Sequence, residues 1–363
     1  DWSLNLTAFS NTDPVTLRGS LHDFGPAAVG WVEVAAPVLQ IEQSMIDALP
    51  GEARSIVAAF RPTGQLSVFG RFWRDTAQEK MHQHLRMGLQ RASVCHRLFP
   101  YRLENVQGVV EMIDERFDFR DLMGTNDTGV ISAQGTLIPQ ERGRELTLHL
   151  QGDQVPLDEE LREALPGSAQ RVWLEVNPQG AAHARVVLLW PAEAEKPDVW
   201  VRMEPAGETV SIEPQCFPFR LEKLAGAIVF DKGELEIESL RGEHGNTVFS
   251  TRGGWHATED GGGQLVLRDF HADRVRCGRD LLKALPEKLR QALQELNPTG
   301  AVNVEGMLAF NRGPRLEDPL EADWDLNLIF HGNSLQPGIK LENLFGTVRL
   351  TGGSHQGSLR CQG

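Results

Sequence analysis

Three marks recur in the same order along the chain, and they fix its organisation. Ala48-Leu49-Pro50, Ala164-Leu165-Pro166 and Ala284-Leu285-Pro286 stand 116 and 120 residues apart. Each is followed at one offset by a turn signal: Pro62-Thr63-Gly64, Pro178-Gln179-Gly180 and Pro298-Thr299-Gly300. The third mark runs from Phe99-Pro100-Tyr101-Arg102-Leu103-Glu104 to Gly108, from Phe217-Pro218-Phe219-Arg220-Leu221-Glu222 to Gly226, and from Pro337 through Lys340-Leu341-Glu342 to Gly346. Self-similarity at a fixed long period is the signature of a repeat architecture, where each unit packs on its neighbours. The period divides the chain into the tail of a preceding repeat (1–40), repeat 1 (41–156), repeat 2 (157–276) and an incomplete repeat 3 (277–363).

Within a repeat, two periodicities alternate. Leu282, Leu285, Leu289, Leu293 and Leu296 fall on one helical face, with Glu287, Lys288, Arg290 and Gln291 opposite. Pro286 suits the first turn of a second helix, and Asn297-Pro298-Thr299-Gly300 stops it. One short helical hairpin per repeat is predicted, over about 41–60, 157–175 and 279–296. Asp158-Glu159-Glu160 lies in a first helical turn, where the macrodipole favours carboxylates.

After each Pro-x-Gly turn the period becomes two. One set of alternate positions reads Leu66, Val68, Gly70 and Phe72 in repeat 1; Ala182, Ala184, Val186, Leu188 and Trp190 in repeat 2; and Val302, Val304, Gly306, Leu308 and Phe310 in repeat 3. The set between them leans polar. Phe117 and Phe119 alternate with Arg116, Asp118 and Arg120, and Leu235 and Ile237 with Glu234, Glu236 and Glu238. Ile131 and Ala133 are matched by Phe249 and Thr251. Such alternation predicts antiparallel sheet with one solvated face. The fold class is therefore mainly β (α+β): a repeated antiparallel sheet forming an elongated curved trough or solenoid, with one helical hairpin per repeat.

Charge and cysteines narrow the function. A net charge of −14 without a basic run argues against a nucleic-acid partner. Cys95, Cys216, Cys277 and Cys361 are scattered, form no C-x-x-C pair and read as buried free thiols. No catalytic triad or phosphate loop appears, and Asp260-Gly261-Gly262-Gly263 reads as a hairpin turn. His82 and His84, with Cys95 and His96 downstream, are the one arrangement that suggests a metal, and a third ligand is missing. The expectation is no enzyme, no metal and no cofactor. Because the first residues, Asp1-Trp2-Ser3-Leu4-Asn5-Leu6, already alternate like a strand, the chain reads as a segment of a longer protein, with any leader or membrane anchor outside it.

The Ala-Leu-Pro start, the Asn-Pro-Thr-Gly and Asn-Pro-Gln-Gly stops, Phe217 to Gly226 with Ala227-Ile228-Val229-Phe230, Glu234-Leu235-Glu236-Ile237 and Val248-Phe249-Ser250-Thr251-Arg252-Gly253-Gly254 together resemble the AsmA-like bacterial envelope proteins. Those are similar in architecture to the bridge-like lipid transfer proteins. The resemblance spans the chain and departs from the simplest members in its helical hairpins. It implies a periplasmic or envelope location, a trough with an apolar inside, phospholipid acyl chains as partners, membrane contact through parts outside this segment, and a role in outer-membrane assembly. The lipid-groove candidates are Leu66, Val68, Phe72, Phe117, Phe119, Val186, Leu188, Leu235, Ile237, Phe249, Val302, Val304, Leu308 and Phe310. The competing expectation is a structural or protein-interaction solenoid of the envelope, its hairpins capping the apolar face and nothing bound.

Overall fold

A computed structural model describes residues 1–363 apart from Asn11, Phe24, Pro26, Ala27, Pro50, Asp260, Leu316, Glu317, Gln356, Gly357 and Gly363, and apart from the side chains of Glu52, Ala53, His355, Ser358, Leu359 and Cys361. Pro50 of the first Ala-Leu-Pro, Asp260 of the glycine-rich turn and the Cys361 thiol thus lie outside the described residues. The fold is mainly β and antiparallel, as the alternation predicts. Strands β1 (Trp2–Ser10), β2 (Asp13–His22) and β3 (Val29–Gln40) precede helices α1 (Gln43–Asp47) and α2 (Gly51–Ala59). Next come β4 (Thr63–Arg74), β5 (His82–His96), β6 (Phe99–Ile113), β7 (Arg116–Asn126), β8 (Gly129–Pro139) and β9 (Arg144–Pro156). Helices α3 (Glu159–Ala164) and α4 (Gly167–Val176) lead into β10 (Ala181–Trp190), β11 (Asp198–Pro205), β12 (Glu222–Asp231), β13 (Glu234–His244), β14 (Thr247–Ala257) and β15 (Gly263–Val275). The last set is α5 (Arg279–Ala284), α6 (Glu287–Leu296), β16 (Val302–Arg312), β17 (Glu321–Leu335), β18 (Leu341–His355) and β19 (Ser358–Gln362). Helix pairs fall where the leucine spacing and Pro-Gly stops put them.

The chain forms two compact units. One comprises Asp1–Val155, Glu159–Pro166 and Ala184–Val199; the other comprises Pro156–Asp158, Gly167–His183 and Trp200–Gly363. In the first, β1 to β9 pair in sequence order as an antiparallel meander. In the second, β11 pairs with β12 and the meander continues to β19. Several hairpins close on two residues with a left-handed first position, Asp114 (φ 53°), Asp127 (φ 46°) and Lys232 (φ 47°), whose twist matches the strands.

Each helical hairpin is an insertion between two strands that pair directly. β3 pairs with β4 down to Gln40 and Gln65, and the Ile41 amide then donates to the Gly64 carbonyl at 2.8 Å. β15 likewise pairs with β16 across α5 and α6. The second helix ends on a left-handed residue, Arg61 (φ 44°), Asn177 (φ 49°) or Asn297 (φ 41°). Its last carbonyls, which have no partner within the helix, are taken up by backbone amides at strand ends and in the adjoining loops. Cys95 and Arg97 donate to Phe60 and Ala59 at 2.8 Å, Glu213 and Gln215 donate to Val176 and Glu175 at 3.0 and 2.8 Å, and Gln336 donates to Leu296 at 2.7 Å. The first helix of each pair buries one residue: Ala164 and Ala284, the alanines of Ala-Leu-Pro, in the second and third, and Ile46, two residues before Ala48, in the first.

The repeated glycines have a conformational reason. Gly108, Gly226 and Gly346 adopt φ of 132°, 118° and 134°, where a side chain is strained. A Cβ on Gly108 would also lie 2.6 Å from the Asp121 carbonyl oxygen and 2.8 Å from Leu122 Cα. Gly108→Ala is therefore expected to destabilise its unit by about 2 to 3 kcal/mol, read as a lower urea midpoint at unchanged m. A midpoint equal to that of the parent would contradict the strained geometry.

Candidate functional site

Cross-strand partners in an antiparallel sheet share a face, so the register identifies what lies on each side. In the first unit one row runs Leu6, Leu17, Val34, Gly70, Leu85, Met112, Phe117, Leu137, Leu146, one residue from each of nine strands. Every member is apolar or glycine. A parallel row from β4 onward, Val68, Met87, Val110, Phe119, Gly135, Leu148, has the same character. The opposite face carries Asn5, Arg18, Glu33, Arg71 and His84 in one row, and Arg86, Glu111, Asp118, Thr136 and Thr147 in another.

In the second unit Val201, Phe230, Leu235, Trp255, Leu265, Phe310 and Ala322 form the apolar row. Arg241, Ser250, His271, Glu305, Asn327 and Arg349 form a polar row behind it. Ionisable groups on the apolar side stand at strand ends. Arg144 is 5.9 Å over the Phe117 ring, the Arg74 Nε donates to the Ala28 carbonyl at 3.0 Å, and Arg312 pairs with Glu175 of α4.

All fourteen groove candidates fall on these apolar faces. Leu66, Val68, Phe72, Phe117 and Phe119 are on that of the first unit by direct pairing. Val186 and Leu188 share the parity of Ala184, whose Cβ is 3.9 Å from a Cβ built on Gly152, itself paired on the same side with Ile131. Leu235, Ile237, Phe249, Val302, Val304, Leu308 and Phe310 are on that of the second unit. Glu236 and Glu238 are opposite: Glu238 pairs with Arg202 at 2.6 Å, and both Arg202 and Glu236 have Val229 as a cross-strand partner. A bulge at Glu238 and Ser239 shifts the register just after this stretch.

Leu66 and Ile237 are buried, and the other twelve candidates are half-buried. The accessible surface is 22219 Å² for 40.3 kDa, whereas a globular monomer of that mass exposes about 14,500 Å². That excess is what single-layer sheet leaves uncovered. The second helices do not fill it, since α4 and α6 bury no side chain, and Leu289 and Leu293 are only half-buried.

Several apolar-face residues carry no repeat mark and escaped the sequence reading, among them Leu85, Met87, Val110, Met112 and Trp324. Asp1-Trp2-Ser3-Leu4-Asn5-Leu6 and Asp323-Trp324-Asp325-Leu326-Asn327-Leu328 are alike in sequence although they stand at different places in the repeat. Both are strands with Trp, Leu, Leu on the apolar side, β1 being three strands before a hairpin and β17 two strands after one.

The suggested metal ligands are apart. His82 and His84 open the 15-residue strand β5 and Cys95 and His96 close it, a separation of about 46 Å at 3.3 Å per residue. His84 Nε2 instead meets the Glu111 carboxylate at 2.8 Å, and the His82 ring stacks on Trp73. Burial, with Arg97 adding to it, holds the His96 imidazole below its usual pKa beside the Phe60 ring. Cys216 is exposed, which corrects its expected burial; Cys95 and Cys277 are partly buried, and all three are free thiols. Gly261 and Gly262 form a hairpin turn with Thr258. Among the described residues no helix is long and apolar enough to cross a membrane. No protein-family model, curated protein or solved structure matches the chain.

Proposed function

We propose that the chain is a non-enzymatic envelope protein whose apolar sheet faces hold and conduct phospholipid acyl chains, contributing to outer-membrane assembly. The observation that carries the proposal is the unbroken apolar row, crossing nine strands in the first unit, whose side chains stay half-exposed for want of a covering layer. An acyl chain suits such a surface: it has no hydrogen-bonding groups, adapts to uneven packing, and gains about 0.8 kcal/mol per buried methylene. Contiguous exposed apolar surface of this extent marks an interaction site. The AsmA-like resemblance supports the same reading. Native mass spectrometry of the protein purified from a bacterial envelope host should show lipid-sized adducts that leave at higher collision energy. A single species at the polypeptide mass would favour the scaffold alternative.

A further inference from the structure

The polar face of the second unit has a feature that the apolar face does not explain. Like charges placed directly opposite on neighbouring strands repel, and at two acidic pairs within its sheets this protein neutralises them, while a third, Asp231 and Glu234, flanks an exposed hairpin turn. Glu111 and Asp118 are cross-strand partners, and they are bridged by Arg120 at 3.0 and 3.9 Å, by Arg116 at 2.9 Å and by His84 at 2.8 Å. Glu222 and Glu243 are partners as well, held by Arg220 at 3.8 Å and Lys223 at 3.2 Å respectively. Arg252 and Arg268 are also partners, on β14 and β15. Neither they nor nearby Arg241 is ion-paired with any described carboxylate, in a chain of net charge −14.

A depression of about 360 Å³ lies at the same place. Two register shifts produce it, one in β13 at Glu238 and Ser239, the other in β15 at Asp269, whose φ is 50°. Gly226 permits the close approach of the Ser239 carbonyl, whose oxygen a Cβ would overlap. Arg241, Arg252 and His271 stand around it, Ser239 and Ser250 offer hydroxyls, and Asp269 is the carboxylate in its lining. Arg268 lies outside this lining but pairs directly with Arg252, at a Cα spacing of about 4.5 to 5.5 Å, so its guanidinium starts within side-chain reach of an anion held there. Bulges commonly re-aim side chains at functional positions.

We infer that Arg252, Arg268 and Arg241 form a binding site for a phosphate-bearing anion, which supplies the counter-charge that basic side chains supply at Glu111 and Asp118 and at Glu222 and Glu243. A tetrahedral dianion accepts from two guanidinium groups at once and from the Ser239 and Ser250 hydroxyls. The site is on the face away from the apolar rows, so it does not depend on the lipid proposal.

The test uses the whole chain with inorganic phosphate at low ionic strength. Phosphate should raise the thermal midpoint beyond the effect of chloride at equal ionic strength, and calorimetry should give a dissociation constant weakened at least tenfold in the double variant Arg252→Gln, Arg268→Gln. Because both side chains are exposed, that variant should fold, with a phosphate-free midpoint equal to or above that of the parent once the repulsion is gone. Arg18→Gln, on the polar face of the first unit, should leave phosphate binding unchanged. Flotation with phosphatidylglycerol against phosphatidylcholine vesicles separates the sources: binding to the former that free phosphate displaces assigns a lipid headgroup, and phosphate binding without flotation assigns a soluble phosphate ester. A parent chain indifferent to phosphate, or a double variant that responds as the parent does, overturns the inference.

Discussion

Val304→Asp is expected to strip the purified protein of lipid while leaving it folded. Val304 is central in the second unit's apolar face, paired with Ala272 on one side and Leu328 on the other, and it is half-buried. An unpaired carboxylate in hydrocarbon surroundings costs several kcal/mol, about enough to halt an acyl chain passing over it. At a half-exposed strand position, the same carboxylate stays hydrated in the empty protein, and the thermal midpoint should drop only a few degrees. If the face is instead the core of a scaffold, the substitution costs roughly 3 kcal/mol or more and the unit unfolds. Lipid content by mass spectrometry, read beside the melting curve and envelope integrity, decides the matter. A folded variant with full lipid content and function would refute the conduit, and an unfolded one would favour the scaffold.

Tyr101→Ala should have the largest effect on stability, about 3 to 5 kcal/mol. Tyr101 is 5% exposed and packs with Val155 and Ala164, while Leu103, Ile131 and Leu161 close the cluster. This is a compact apolar cluster in a single-layer unit, and it joins α3 to the start of β6. Truncation leaves a cavity that strands cannot collapse around without losing their pairing, and it frees the helix. Denaturant unfolding should show the loss, and hydrogen exchange at Leu161 to Ala164 should rise to the unprotected rate. Retained protection there would mean that α3 is held by something other than this cluster.

Much of the fold is legible because its devices are local. The helix pairs announce themselves through leucine spacing and an Asn-Pro-x-Gly stop, and Asn177 and Asn297 do cap α4 and α6 in the left-handed region. The face of each groove candidate follows from period two within a single strand. Period two fails across a bulge, and there the pattern loses its meaning. Arg91, Asn105 and Asp121 adopt φ of 51°, 52° and 50° within β5, β6 and β7, and each flips the parity of the residues after it. None is a glycine, so no residue type flags the change, and Leu89 and Ala92 share a side although an odd number of steps separates them. The three-arginine cluster was invisible for a related reason. Arg241, Arg252 and Arg268 are far apart in the chain and meet only through strand register. The metal suggestion failed on length alone, since β5 is a single extended strand.

Six strands, β4 to β9, separate the first helical hairpin from α3 in the first unit, and six is even. A chain that crosses an antiparallel sheet an even number of times leaves by the edge it entered. The roughly 118-residue cassette of the first unit thus returns the backbone to its starting rim, pointing the same way, with α3 on the rim that carries the first hairpin. Tandem duplication of such a cassette adds reach without a new crossover, a reversed strand or an exchange of inner and outer surface. A five- or seven-strand cassette would put successive hairpins on alternate rims and demand different edge chemistry from each copy. Even strand number makes the number of cassettes a free variable for evolution, adjustable in whole steps.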